Sequence, residues 1–394
     1  MTTRLRVAII GTGFMGRMHA HAWRTAPRFF DLSPAPEAAL LVGSDAARTD
    51  AAAAAFGIPE ASDDWRAAIA RDDIDIVDIC TPGHTHAEIA LAALSAGKHV
   101  LCEKPLANDV ADADRMAAAA EDAASRGIVS MCGFSYRRTP ALSLAKRLID
   151  DGRVGEIRHV RAQYLQDWLT NPDAPFTWRL DRDRAGSGAL GDIGAHSIDT
   201  AQWLAGSAIT GVSATLRTFV ASRPRLDERV GLGGHGAPGA PHERVTVDDA
   251  AAFTATFENG ALGVFEATRM AAGHRNANRI EINGDRGSIA FDFSFMNELQ
   301  FHDAQLPAGE QGFRRIDATE PEHPYAGAWW PAGHGLGYEH LFTHQSVDFV
   351  RAIAGGTAPQ PGFADAARVQ RVLAAVEASA ADESRYTAVE GARS

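Results

Sequence analysis

The sequence predicts a two-part α/β protein: a doubly wound parallel sheet, then an α+β domain built on a large, mainly antiparallel open sheet. Three observations predict it. A short apolar run, Leu5–Ile10, passes directly into the glycine-rich turn Gly11-Thr12-Gly13-Phe14-Met15-Gly16 and then into a helical pattern. Apolar runs alternate with alanine-rich helical stretches up to about Cys132, the arrangement of successive βαβ units. Beyond it, long alternating runs and tight glycine turns replace that rhythm.

In the first part, strands are expected at Leu5–Ile10, Ala39–Gly43, Ile74–Ile79, His99–Cys102 and Val129–Cys132. Helices are expected at Arg17–Arg24, Arg48–Phe56, Thr85–Ala96 and Val110–Ala124. Pro27–Pro36 is too proline-rich for a helix and reads as a loop. In the second part, helices are expected at Pro140–Asp151 and His196–Leu204, and strands at Arg158–Asp167, Thr210–Val220 and Val245–Phe257. Turns fall at Glu258-Asn259-Gly260 and at Asn283–Gly287. Pro224–Pro241 reads as a mobile surface loop, and helices Tyr338–Ile353 and Phe363–Ala381 close the chain. These elements place one domain at 1–134 and a second at 135–394, with room for the C-terminal helices to pack back on the first.

Composition narrows the function. With 38 Lys plus Arg against 50 Asp plus Glu, the net charge of −12 argues against nucleic acid as a partner. No apolar run reaches the ~18 residues of a membrane span. The N-terminus runs into the first strand without a signal pattern. The three cysteines, Cys80, Cys102 and Cys132, lack metal-ligand spacing and read as buried thiols of a cytoplasmic protein.

The chemistry-bearing residues cluster at strand ends. Gly11, Gly13 and Gly16 have the spacing of a Rossmann dinucleotide loop, with Phe14 and Met15 between them; a diphosphate would sit on the helix N-terminus that follows. Thr81-Pro82-Gly83-His84-Thr85-His86 follows the Ile74–Ile79 strand, where ligands bind in open α/β sheets. Its two histidines read as cofactor or supporting contacts ahead of a metal pair. Glu103-Lys104-Pro105 follows the next strand and points an ammonium at the same crevice. Asp192 and His196 are four residues apart, on one face if helical, where a carboxylate can orient an imidazole base. Spacing alone fits a capping Asp and a core His equally well. Tyr164–Trp168, with Trp178-Arg179 downstream, offers amide, indole and guanidinium groups suited to a polyhydroxylated ring, or alternatively a core tryptophan.

Taken in order, the Rossmann start, T-P-x-x-x-H, E-K-P and G-x-x-D-x-x-x-H resemble the Gfo/Idh/MocA family over nearly the whole chain. Gln163–Trp168, Tyr136–Pro140 and Ser187–Ile193 strengthen the likeness. The resemblance implies a dehydrogenase acting on a secondary hydroxyl of a sugar, anhydrosugar or inositol without a metal. It places Lys104, Asp192 and His196 on catalytic positions: His196 as base, Lys104 on the reacting oxygen, Asp192 on an adjacent hydroxyl. It also puts Tyr136, Gln166, Trp168 and Arg179 around the substrate, and implies a homodimer or homotetramer joined through an exposed sheet face. The tail segment His334–His340 departs from the family pattern and bears on substrate identity if it reaches the pocket.

For the cofactor, Asp45 after the second strand suits the ribose hydroxyls of NAD, whereas Ser44 with Arg48 would suit the phosphate of NADP. NAD is the expected cofactor. An NADP-dependent keto-sugar reductase, a glycoside 3-dehydrogenase and a nucleotide-binding regulator without turnover are the alternative readings.

Overall fold

The computed structural model describes residues 4–230, 233–236 and 239–391. These divide into two compact units, one of Met1–Arg138 with Gly337–Ala367, the other of Thr139–Leu336 with Arg368–Ser394.

The first unit begins with strand β1 (Arg4–Ile10), helix α1 (Phe14–Phe29), β2 (Ala35–Val42), α2 (Ala46–Phe56), β3 (Glu60–Ser62), α3 (Trp65–Ile69) and β4 (Ile76–Ile79). There follow α4 (His86–Ser95), β5 (His99–Cys102), α5 (Val110–Ala124) and β6 (Ser130–Cys132). All six strands are parallel, in the order β3-β2-β1-β4-β5-β6. The order reverses between β1 and β4, and at such a switch point the turns beyond the strand ends part to leave a ligand crevice. Val7, Ala8, Ile9, Leu41 and Val77 are wholly buried, as a sheet covered on both faces requires.

Pro27–Pro36 is shorter as a loop than expected. Pro27 lies in the last turn of α1, and Ala35 and Pro36 already belong to β2. The helix survives the lost N–H because Trp23 and Ala26 just before it are fully buried, and burial outweighs one missing hydrogen bond.

The second unit carries α6 (Pro140–Asp150), β7 (Ile157–Leu165), α7 (Arg182–Ala185) and α8 (Ala195–Ala205). Then come β8 (Ile209–Arg217), β9 (Ser222–Pro224), β10 (Leu226–Val230), β11 (Gly233–Gly236) and β12 (His242–Arg244). The remaining strands are β13 (Ala250–Phe257), β14 (Leu262–Thr268), β15 (Ala277–Gly284), β16 (Gly287–Asp292), β17 (Glu298–Asp303), β18 (Phe313–Asp317) and β19 (Thr387–Ala388). Nine of them form one sheet, β18-β17-β16-β15-β7-β14-β13-β8-β19, in which only β7 and β14 run parallel. Phe253 and Phe265 stack across β13 and β14 at 4.6 Å, and Ile198, Ala201 and Leu204 of α8 are fully buried.

Two expectations are corrected here. Strand β13 starts at Ala250, not Val245, because Asp248 and Asp249 turn their carboxylates onto loop N–H groups and leave the pleat. Pro224–Pro241 is not a plain loop. β9 pairs with β12 and β10 with β11, so backbone pairing supplies the order that side-chain periodicity lacks. Residues 231, 232, 237 and 238 of that stretch lie outside the described residues.

Helix α9 (Tyr338–Gly355) belongs to the first unit; in α10 (Phe363–Ala381) the unit boundary falls after Ala367. Within the first unit, Phe349 of α9 packs edge-on against Trp23 at 6.5 Å. No described helix is long and apolar enough to cross a membrane.

Arg223 on β9 is fully buried. It donates from Nη1 to the Asn171 carbonyl at 2.7 Å and from Nη2 to the Leu169 carbonyl at 2.8 Å. Arg223→Ala takes the guanidinium donor from the Leu169 carbonyl and leaves the Asn171 carbonyl only its bond from the Ala174 N–H, and is expected to cost about 2 kcal/mol of stability in urea unfolding. Arg223→Lys, with one point donor, should recover only part of that loss.

Candidate dinucleotide and substrate sites

In the first unit the glycine loop has the geometry a dinucleotide needs. Gly11 has φ +127°, and a Cβ there would lie 2.6 Å from the Cys80 carbonyl oxygen. A Cβ on Gly16 would come within 1.9 Å of the Gly11 oxygen, so α1 closes onto the end of β1 only with glycine. Around Gly13 a Cβ would meet nothing within 4 Å, and no side chain caps the α1 N-terminus. Bare backbone facing open space at a helix N-terminus fits a diphosphate. Phe14 is exposed and stacks on Tyr338 at 6.4 Å; Met15 is half-buried behind it. The His334–His340 segment thus reaches the dinucleotide loop through Tyr338, while His334 itself lies exposed in a turn.

The other first-unit candidates sit at neighbouring strand ends. Asp45 caps α2, its Oδ1 accepting from the Arg48 N–H at 2.9 Å, and that bond holds the carboxyl below its usual range. One oxygen of the expected ribose acid is therefore committed to its own helix. Position 43, directly after β2, has no room for a side chain, because a Cβ on Gly43 would lie 2.2 Å from Thr49 Oγ1. Ser44 beside it is exposed. Thr81 accepts a hydrogen bond from Thr85 Oγ1 at 2.6 Å, with Pro82 half-buried between them and His84 exposed.

His86 is a correction. It is buried, with ring nitrogens 2.8 Å from the Thr81 carbonyl and 2.9 Å from that of Pro105. The ring ties two strand-end turns together instead of offering itself to a cofactor.

Sequence reasoning missed what lies beneath the E-K-P turn. His19 Nδ1 donates to Asp78 at 2.9 Å and Nε2 to Glu103 Oε1 at 3.1 Å, all three buried. Trp23 Nε1 donates to the same aspartate at 2.6 Å. Burial alone would depress the imidazole, yet Asp78 and then Cys80 lift His19 well above its ordinary value. Burial and Asp78 push the Cys80 thiol up to about 12. His19, Asp78 and Cys80 bring ligand-type atoms within 4.8 Å of one another, but both ring nitrogens are engaged in these bonds. Glu103 is thereby held from behind, and the half-buried Lys104 follows it.

In the second unit, Asp192 lies in a single π-helical turn, Leu190–Gly194, that runs directly into α8 with His196 in its first turn. Such wide turns recur at functional sites. The expected proximity of Asp192 and His196 therefore rests on a continuous helical segment. Its start is held by Asp248, whose carboxylate accepts from the N–H groups of Gly188 at 2.7 Å and Leu190 at 2.8 Å.

Beside it, at the end of β7, is a relay of polar side chains. Trp168 Nε1 donates to Gln166 Oε1 at 2.9 Å, and Gln166 Nε2 donates to Asn276 Oδ1 at 2.9 Å. Tyr164 Oη donates to that same oxygen at 2.7 Å, and its ring lies 6.0 Å from that of His196. Asn276, 110 residues from Gln166, gave no local signal. Arg179 lies in the turn Trp178–Leu180, its guanidinium over the Trp178 ring. Tyr136 is buried in the first unit, in the turn Ser135–Arg138.

Comparison with known proteins agrees with both halves of this description. Residues 5–131 match the oxidoreductase family with an NAD-binding Rossmann fold, and residues 142–290 match the GFO/IDH/MocA C-terminal domain. Levoglucosan dehydrogenase of Pseudarthrobacter phenanthrenivorans is 42% identical over 387 residues, 96% of this chain and 97% of that one. A levoglucosan dehydrogenase in complex with NADH and levoglucosan superposes with a TM-score of 0.91 at 40% identity, over 98% of this chain and 100% of that chain. An oxidoreductase domain protein from Kribbella flavida gives a TM-score of 0.94 at 58% identity, over 98% and 100%.

His19 makes stability depend on pH with a definite sign. Its folded-state value is raised, so its contribution is complete below the unfolded value of about 6.5 and is lost as pH rises through the folded one. Urea midpoints should therefore fall on the alkaline side. His19→Ala, leaving two buried carboxylates unbridged, should lower stability by about 3 kcal/mol at neutral pH and abolish that alkaline loss.

Proposed function

The chain belongs to the Gfo/Idh/MocA family of NAD-binding oxidoreductases, and from that premise we propose that it is a dehydrogenase that oxidises a secondary hydroxyl of levoglucosan or a closely similar anhydrosugar to the ketone. Bound NAD supplies the hydride acceptor. The chain's own residues do the rest. The glycine loop Gly11–Gly16 takes the diphosphate on uncapped helix N–H groups, with Thr81, Pro82, His84 and Glu103 along the same row of strand ends. Ser44 and Asp45 lie at the adenosine end.

His196 takes the proton from the hydroxyl oxygen as the carbinol carbon gives up its hydride. Lys104 hydrogen-bonds the reacting oxygen and stabilises the charge that grows there. Asp192 accepts a hydrogen bond from a neighbouring hydroxyl, which orients the ring. Gln166, Trp168, Tyr136 and Arg179 surround the sugar. The observation that carries this reading is the Tyr164–Asn276–Gln166–Trp168 relay beside His196 and Asp192, a wall of fixed donors and acceptors with an indole face. It suits a ring with several hydroxyls and an apolar C–H face.

The coarser setting follows the same reading. The nine-stranded sheet leaves Leu262 and Val264 of β14 exposed at 44% and 49%, on a face also carrying Arg161, Gln163 and Glu281. A second copy of the chain covering that face would give the homodimer or homotetramer. Three buried free cysteines suit a reducing cytoplasm.

The direct test is NADH formation with levoglucosan, myo-inositol, L-sorbose and glucose, each with NAD and with NADP. Turnover of levoglucosan with NAD is expected. Turnover of myo-inositol alone would reassign the substrate, and nucleotide binding without any turnover would make the protein a regulator. His196→Ala should lower kcat by about 10²–10⁴-fold with NADH affinity unchanged, as removal of a general base does. Intact turnover in that variant would remove His196 from the mechanism.

A further inference from the structure

Two arginines of the second unit are fully buried, and they spend their donors differently. Arg223 gives its guanidinium to backbone carbonyls, as a structural strut does. Arg269, just beyond the end of β14, does not. Its Nη2 reaches the Asp248 carbonyl only at 3.4 Å, and its Nε and Nη1 have no hydrogen-bond partner among the described residues. Nη1 instead faces Asp192, 3.7 Å from Oδ2. The guanidinium lies 5.5 Å from the centroid of the Trp168 ring, within cation–π range. Gly188 leaves room for this arrangement, since a Cβ there would lie 2.7 Å from Arg269 Nη2 and 1.8 Å from the Asp248 oxygen. The Asp192 side chain is 31% exposed while Arg269 is not exposed at all, so the pair has one dry end and one open end.

A buried guanidinium with so few hydrogen bonds is costly unless charge and ring contacts hold it, and here both lead to residues of the substrate wall. We propose that Arg269 is a positioning residue for substrate recognition: it fixes the Asp192 carboxylate and the Trp168 ring from behind, so that the exposed carboxylate oxygen receives one particular hydroxyl of the sugar. This rests on the reading of Asp192 as a hydroxyl acceptor. It makes Asp192 and Arg269 a functional unit, and hydroxyl placement on the sugar a property of the pair. Neither residue is near the other in sequence, and nothing local marks Arg269 as part of a site.

The test is steady-state kinetics on the full chain with NAD and levoglucosan, comparing wild type, Arg269→Met, Arg269→Lys, Asp192→Asn and the Arg269→Met/Asp192→Asn double variant. Arg269→Met is expected to lower kcat/KM by about 30-fold or more, mainly through KM, with NADH affinity retained. Arg269→Lys should recover to within about tenfold of wild type. The double variant should be no worse than Asp192→Asn alone by more than about threefold, the non-additivity of residues acting as one.

Arg269→Met within about threefold of wild type, or a double variant whose loss is the product of the two single losses, would overturn the inference. If Arg269→Met fails to bind NADH or to melt cooperatively, the same cycle run with the neutral Arg269→Gln decides on the same criteria. An unimpaired Asp192→Asn sinks the reading of Asp192 and the inference with it. An impaired Asp192→Asn beside an unimpaired Arg269 variant sinks the inference alone.

Discussion

The second unit's candidate site depends on the Asp248 carboxylate. It accepts from the N–H groups of Gly188 and Leu190, and so anchors the entry to the helical segment that carries Asp192 and His196. A helix N-terminus carries several unsatisfied donors, and a buried carboxylate is the strongest way to hold two of them. The backbone oxygen of the same residue meets Arg269, which faces Asp192. One aspartate thus sets where the chain enters the π-helical turn and touches the arginine that faces Asp192. Gly188 is required because that approach leaves no space for a side chain.

The first unit solves the same problem in another way. Its strand-end turns are held by a single imidazole bridging Asp78 and Glu103, and by His86 clamped between the Thr81 and Pro105 carbonyls. Two histidines that could have been ligands or bases are fasteners. Their burial removes water as a competitor, so each bond is made in a low-dielectric interior and holds its turn rigidly. Rigid turns at strand ends suit a site whose catalytic device is positioning, where an error of about 1 Å costs orders of magnitude in rate.

Much of the fold was legible along the chain. The βαβ alternation, the glycine loop, α10 to the residue and both hairpin turns follow from local periodicity and turn chemistry. The errors share a cause. Pro27 stayed helical, Asp248 and Asp249 left the strand, and β10 and β11 paired within the stretch from Pro224 to Pro241 because of contacts the local pattern does not encode. Of the candidate residues, the strand-end motifs were readable because their position after a strand carries meaning by itself. Asn276 and Arg269 were not readable, since an asparagine before a strand and an arginine after one have no signature until the sheet brings β7, β14 and β15 side by side.

Taken in order, the motifs carried the class of chemistry through their resemblance to the family; singly, the chain showed a dinucleotide loop at a strand end, an ammonium after a later strand, and an aspartate and histidine at helical spacing. Those are short-range facts, written in glycine geometry and helix periodicity. Which polar groups are fasteners emerged only from the packing. His86 turned out to be held between two backbone carbonyls, one oxygen of Asp45 to cap its own helix, and Arg269 to face Asp192. A polar side chain's role depends on what it is buried against, and burial is a property of the packed molecule, not of the chain.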